Sequence, residues 1–194
     1  RKRPNAAPMG IIMKNKEHII LRPFTSTLTY QNLCLMKCGV INLTFDIEIF
    51  FRTTFKEMNW GDILPCELFE KSQNFNAPKL KRAQATIEFS VADIKKISKE
   101  RVEIMGKVNK INAIKSVPHV YSRAFFATLE ALIHATRVQN FLSGDIQKKK
   151  CADTLIEHIK YSKEIIRRVA PKSIYSEIIN EIESMKIENL EKIE

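Results

Sequence analysis

The densest set of groups able to hold an anion lies at Arg22-Pro23-Phe24-Thr25-Ser26-Thr27-Leu28-Thr29. Four hydroxyls and one guanidinium fall within eight residues, where an apolar run gives way to helical spacing. Such a set suits a phosphate monoester: hydroxyl and main-chain N–H donors at a helix start, plus one fork-shaped cation. The competing reading is a hydroxyl-rich turn that caps its own helix. A second stretch, Asn5-Ala6-Ala7-Pro8-Met9-Gly10, sets small residues beside a strand and would let a flat ligand reach main-chain N–H and C=O groups. A tight turn or close strand packing accounts for it as well. A third set, Arg123, Glu130, His134 and Arg137, is offset by 7, 4 and 3 residues, so at about 100° per residue the four share one helix face. They form either a solvated ion-pair stripe or the wall of a site in which Glu130 orients His134. His119, just before that helix, reads as structural.

The elements that must carry these residues follow from periodicity. Gly10–Met13 and His18–Leu21 are short apolar runs around the turn-prone Lys14-Asn15-Lys16-Glu17, a hairpin signal. Leu28, Leu33, Leu35 and Met36 predict a short helix over Leu28–Lys37 that ends at Gly39, followed by a β-branched strand, Cys38–Thr44. Asp46 is expected to cap a further short helix carrying Ile47, Phe50, Phe51 and Phe55. Lys81–Val91 and Arg101–Ile111 alternate as half-buried strands, joined by a polar stretch, Asp93–Glu100, and are expected to pair. Residues 57–80, with Trp60-Gly61, Pro65 and Asn76-Ala77-Pro78, read as one long loop. Several short strands with small helical connectors suggest a closed or partly closed barrel. From Pro118 onward the pattern is helical: Ser122–Leu142, Cys151–Val169 stopped by Ala170-Pro171, and a last helix capped by Ser173 with Ile174, Ile178, Ile182 and Met185 on one face. The last two are expected to form a helical hairpin.

At 194 residues the chain is long enough to bury a core without disulfides or metal. No run of about 18 apolar residues is present, which argues against a membrane-spanning helix. Cys34, Cys38, Cys66 and Cys151 include no C-x-x-C pair and no usual zinc spacing, so they are expected to be buried reduced thiols of a cytoplasmic protein, with no metal. The net charge of +10 is uneven: residues 1–117 hold 20 Lys/Arg against 11 Asp/Glu, residues 118–194 hold 12 against 11. A basic excess fits nucleic acid, an anionic surface or a phosphate-bearing ligand, or simply keeps the surface solvated. The opening Arg1-Lys2-Arg3 runs straight into Pro4–Pro8, as the inside of a domain would, so further residues are expected upstream. No G-x-G-x-x-G, G-x-x-x-x-G-K-[ST], G-x-S-x-G or H-E-x-x-H occurs. A redox role would therefore need a cofactor held by a different fold.

Three blocks in order, Pro4–Gly10, Leu21-Arg22 with Thr25 through Leu33, and Gly39 through Asp46, together resemble the flavin reductase-like, FMN-binding split-barrel superfamily. Within it the chain is most similar to a mostly archaeal family, domain of unknown function 447. That family also carries Ala83-x-Ala85 ahead of a strand ending in Glu88, and a helix like Ser122-Arg123-Ala124 leading to Glu130-Ala131-Leu132-Ile133-His134-Ala135-Thr136-Arg137. The blocks span residues 4–140, and the tail 145–194 is similar to the family's helical extension.

The resemblance implies an α+β chain. A Greek-key, FMN-binding split β-barrel of about six strands would fill 1–117, and a helical extension, one long helix plus a helical hairpin, would fill 118–194. It further implies a homodimer with FMN near each dimer cleft. The activity would be that of a flavin-dependent oxidoreductase drawing on a nicotinamide or deazaflavin electron donor. By the same carry-over, Arg22, Thr25, Ser26, Thr27 and Thr29 hold the phosphate and ribityl chain. Ala7, Met9 and Gly10 lie along the isoalloxazine, and Asn32 and Asn42 support it. Arg123 and His134 are the catalytic candidates, as anion clamp and proton donor. FMN brings about two negative charges, which accounts locally for the basic bias. A non-catalytic flavin-binding or sensing protein is the alternative. A basic nucleic-acid-binding protein is less favoured, because the aromatics are mainly Phe at apolar-periodic positions rather than interleaved with Lys and Arg.

Overall fold

The computed structural model describes residues 4–61, 63–113, 119–142 and 146–191. Its contacts gather into two units, residues 1–45 with 55–117 and residues 46–54 with 118–194. The helix opened by Asp46, counted with the barrel in the sequence, thus gathers with the C-terminal helices. The boundary expected between 117 and 118 lies outside the described residues.

In the first unit, β1 (Ile11–Met13) and β2 (His18–Leu21) form the expected hairpin. Its turn is set by Asn15, whose Oδ1 accepts the Glu17 and His18 N–H groups at 2.9 and 2.8 Å. α1 (Leu28–Met36) follows, then β3 (Cys38–Leu43). The residue that ends α1 is Lys37, in the left-handed region at φ 54, with its N–H on the Leu33 carbonyl at 3.0 Å. Gly39 is not the terminator. It lies in β3 opposite Phe89, where an added Cβ would stand 2.8 Å from the Phe89 ring. Gly106 serves the same ring from the other side, at 2.6 Å. The two glycines therefore make room for one buried phenyl at the centre of the sheet.

Phe89 belongs to β6 (Ala85–Lys96), which pairs antiparallel with β7 (Val102–Ala113). The polar stretch Asp93–Glu100 does not form a loop over its whole length. A register shift between Val91 and Asp93 lets β6 run on to Lys96, leaving only a tight turn before Val102. The sheet order is β1-β2-β7-β6-β3, all antiparallel and curled as a half-barrel, with a core of Ile19, Leu21, Leu33, Ile41, Ile87, Phe89, Val102 and Ile104. The supposed loop 57–80 is also structured. It holds α3 (Lys56–Trp60), a 3-10 turn (Cys66–Leu68), and the ribbon of β4 (Phe69–Lys71) with β5 (Pro78–Leu80). Between the ribbon strands, the Gln73 and Asn74 N–H groups donate to the fully buried Glu88 carboxylate at 3.0 and 2.9 Å. This internal acceptor replaces the partners a solvated loop would find in water.

The second unit contains α2 (Ile47–Thr54), α4 (Arg123–Leu142), α5 (Ile146–Val169) and α6 (Ile174–Glu191). Asp46 Oδ1 accepts the Ile49 N–H at 3.2 Å, as a cap should. Ser173 stands just before α6, its carbonyl accepting the Glu177 N–H at 3.1 Å, while its hydroxyl donates to the Ala170 carbonyl at 2.6 Å. α5 packs chiefly on α4 rather than on α6, so the expected hairpin of the last two helices is instead made by α4 and α5. Buried Ala127, Ala131 and Ala135 recur every fourth residue along α4, and Ala152 is buried on α5. Side chains this small let helix backbones approach closely. On α6, Ile178, Ile179, Ile182 and Met185 are buried, while Ile174 is exposed.

Candidate functional site

The hydroxyl-rich bend sits at the head of α1 and divides its work. Thr27 is the N-cap: its Oγ1 accepts the Tyr30 N–H at 3.3 Å and its O–H donates to the Phe24 carbonyl at 2.8 Å. Thr25 places both its N–H and its hydroxyl on the Glu100 carbonyl, at 2.9 and 3.3 Å. The self-capping reading therefore holds at these two positions. Ser26 is exposed and Thr29 half-buried, and neither hydroxyl donates to a partner among the described residues. Nor do the main-chain N–H groups of Ser26, Leu28 and Thr29 meet an acceptor there. No acidic residue occupies the first turn of α1. This leaves a compact set of donors at the positive end of a helix.

Arg22 lies beside the bend but is engaged. Its Nε and one terminal nitrogen reach the same Glu103 oxygen at 3.0 and 2.9 Å, with the two side chains 51% and 30% exposed. The Arg101 guanidinium lies 4.0 Å from the centroid of the Phe24 ring. The turn between β6 and β7 thus braces residues 22–25 through Glu100, Arg101 and Glu103. The sequence reading placed Glu100 in a linker and Arg101 and Glu103 on a strand, with no sign that they meet residues 22–25.

The small-residue stretch comes to the same place. Asn5 Nδ2 donates to Thr29 Oγ1 at 3.2 Å, and its Oδ1 accepts from the half-buried Lys56 ammonium at the start of α3. Lys56 carried no motif and was missed in the sequence, since only the tertiary fold brings residues 5, 29 and 56 together. Met9 packs against the sheet core, whereas Ala7 and Gly10 are exposed. A Cβ built on Gly10 would meet nothing within 4 Å, so there is open room beside the main chain at this point. Asn32 lies one turn along α1 from Thr29, half-buried, its carboxamide without a partner among the described residues. Asn42 is occupied with the fold: Oδ1 accepts the Leu80 N–H at 2.8 Å and Nδ2 donates to the Val40 carbonyl at 3.3 Å, tying β3 to β5.

Arg123 and His134 lie on α4, in the second unit. Arg123 is exposed. His134 is half-buried, its Nδ1 sequestered without a hydrogen bond, its ring 5.2 Å from that of His158. Burial pushes its pKa below the ordinary 6.5; His158 and Arg137 act the same way, and Glu130 opposes them. All four cysteines are free, but none is fully buried as expected: Cys34 and Cys38 are half-buried and Cys66 and Cys151 exposed. Among the described residues, no helix is long and apolar enough to cross a membrane.

Two family models align with these elements. The protein of unknown function (DUF447) N-terminal domain matches residues 1–114, and a second DUF447 model matches residues 122–187. The chain belongs to the DUF447 family. Among solved structures, this DUF447 chain is similar to an FMN-bound protein of the same family from Methanosarcina mazei, at 26% identity and a TM-score of 0.75, covering 94% of this chain and 88% of that one. The 2-nitrobenzoate 2-nitroreductase of Pseudomonas fluorescens matches at 17% identity over 57% of this chain and 58% of its own, with a TM-score of 0.46. Component B of nitrilotriacetate monooxygenase from Bacillus cereus matches at 16% identity over 61% and 65%, also with a TM-score of 0.46. No curated protein matches the chain.

Proposed function

We propose that this DUF447 chain binds FMN, with the phosphate and ribityl chain at the head of α1 and the isoalloxazine beside the Pro4–Gly10 stretch. The observation that carries the reading is the likeness, over 94% of the chain, to a family member described as FMN-bound. The donor set suits such a ligand. The N–H groups of Ser26, Leu28 and Thr29 and the hydroxyls of Ser26 and Thr29 are available to phosphate and ribityl oxygens. Arg22 would have to share its guanidinium between Glu103 and the phosphate. Thr25 and Thr27 shape the bend rather than contact the ligand, and Asn42 shapes β3. Ala7, Met9, Gly10 and Asn32 would lie along the ring, a reading supported by the open space at Gly10.

We further read the protein as a flavin-dependent oxidoreductase that acts as a homodimer and takes electrons from a nicotinamide or deazaflavin. Bound FMN would supply the hydride and electron transfer. The protein's own part is to fix the flavin's orientation and its hydrogen-bonding surroundings and to limit water. Two measurements test the proposal in order. The visible spectrum of the purified protein with added FMN should show the cofactor's bands near ~370 and ~450 nm, retained on gel filtration. Anaerobic mixing with NADH, NADPH or reduced deazaflavin should then bleach the ~450 nm band. A protein that never retains FMN refutes the binding, and one that retains it but is bleached by none of the three is a flavin binder rather than a reductase.

A further inference from the structure

We infer that Lys56, Asn5 and Thr29 form a one-way donor relay that reads the anionic end of the ligand and so distinguishes FMN from its dephosphorylated form. The inference rests on the flavin reading above. It begins with a constraint on direction. The Lys56 ammonium has only donors, so the group of Asn5 facing it must be the carbonyl Oδ1. The other arm of the carboxamide is then Nδ2, which can only donate, and it does so to Thr29 Oγ1 at 3.2 Å. Thr29, having accepted, keeps one proton to give. Among the described residues no acceptor takes it.

The chain of donors therefore ends on a hydroxyl in the first turn of α1 that calls for an acceptor. It ends beside main-chain N–H groups with the same need. Hydrogen bonds in such a series polarise one another, so the ammonium strengthens the final O–H as a donor. A phosphate accepts without donating in return, whereas a ribityl hydroxyl gains less from a polarised donor. Lys56 also brings its positive charge near the helix end already favourable to anions, where no acidic residue of the first turn offsets it. Of the other cations beside the bend, Arg22 pairs with Glu103 and Arg101 lies over the Phe24 ring. Lys56 is thus a positioning and specificity residue that acts through Asn5.

The test compares FMN and riboflavin binding by flavin fluorescence for the wild type, Lys56→Met, Lys56→Arg and Thr29→Val. Lys56→Met should weaken FMN about tenfold, as loss of a half-exposed charge-assisted contact would, and riboflavin less than about twofold. Thr29→Val should do the same, and Lys56→Arg should restore most of the FMN affinity. Circular dichroism melts check that each variant folds. If Lys56→Met is unstable, the Thr29→Val comparison decides alone. Equal losses for both ligands, or no loss for either, overturn the relay while leaving flavin binding intact. A folded wild type that binds neither ligand overturns the relay and the flavin reading together.

Discussion

Arg22 offers the sharpest test of where the phosphate sits, because the structure shows what the ligand must compete with. The guanidinium makes two contacts to one Glu103 oxygen, and both side chains are substantially solvated. An exposed pair of this kind contributes about 0.2–1 kcal/mol. A guanidinium on a phosphate contributes about 1.5–3 kcal/mol as a charge-assisted hydrogen bond. Sharing Arg22 between the two leaves a net ~1–2 kcal/mol, so Arg22→Ala should raise the Kd for FMN roughly 5- to 30-fold. Glu103→Gln should act in the opposite direction. It frees the guanidinium and removes a carboxylate from the neighbourhood of the dianion, tightening FMN by about threefold. Fluorescence titration of both variants and of the double variant closes the cycle, and in the double variant the gain from Glu103→Gln should largely vanish. An Arg22→Ala Kd within about twofold of wild type, with Glu103→Gln equally silent, would show that the phosphate is held elsewhere. Equal loss of riboflavin would show that Arg22 merely braces the bend.

Three further outcomes follow from the fold. Gly106→Ala places a methyl 2.6 Å from the Phe89 ring and 2.9 Å from Ile19. It should cost about 1–3 kcal/mol in urea denaturation, as overpacking does. Glu88→Ala removes the acceptor of the Gln73 and Asn74 N–H groups and should cost about 2–4 kcal/mol, with exchange of those two amides rising well beyond that of the sheet. His134 is held below its ordinary 6.5, so the folded state binds fewer protons than the unfolded one. Its contribution to stability is present above 6.5 and is lost as pH falls through the lowered value. Melting temperatures followed by circular dichroism should therefore drop between neutral and mildly acidic pH, less steeply in His134→Gln. Parallel pH profiles for the two proteins would refute that assignment.

Local chemistry was legible in the sequence wherever a residue's role depends on its near neighbours. The β1–β2 hairpin, α1 behind a hydroxyl-rich turn, and the Asp46 cap of α2 are all settled within three or four residues. What depended on distant partners was not legible. Gly39 looked like a helix terminator because its real constraint, the Phe89 ring, lies fifty residues away on another strand. Residues 57–80 looked like a loop because their order rests on Glu88 and Asn42, whose partners are main-chain groups with no sequence signature. The β6–β7 turn looked longer than it is because a register shift breaks the alternation that marks a strand. The candidate site follows the same rule: the hydroxyls were visible, but Lys56 and the brace from Glu100 to Glu103 were not.

The self-capping turn at the hydroxyl-rich bend leaves the proposed anion cradle possible, because the two would use different residues. Thr25 and Thr27 satisfy the chain's own carbonyls and the Tyr30 N–H, and in doing so fix the path of the backbone. That path is what presents Ser26, Leu28 and Thr29 outward as donors. α2, α3 and α6 each offset their positive end with a glutamate in the first turn, whereas α4 and α5 do not. In α1 the first turn has none. The carboxylate at hand is Glu103, and it is engaged by Arg22. The cap holds the bend without an anion, and the proposed phosphate would meet donors that no acid of the first turn offsets. Replacing Leu28 by Glu would supply the missing charge from within. It should stabilise the fold by about 0.3–1 kcal/mol in urea denaturation while weakening FMN in fluorescence titration, a trade that a simple capping turn would not show.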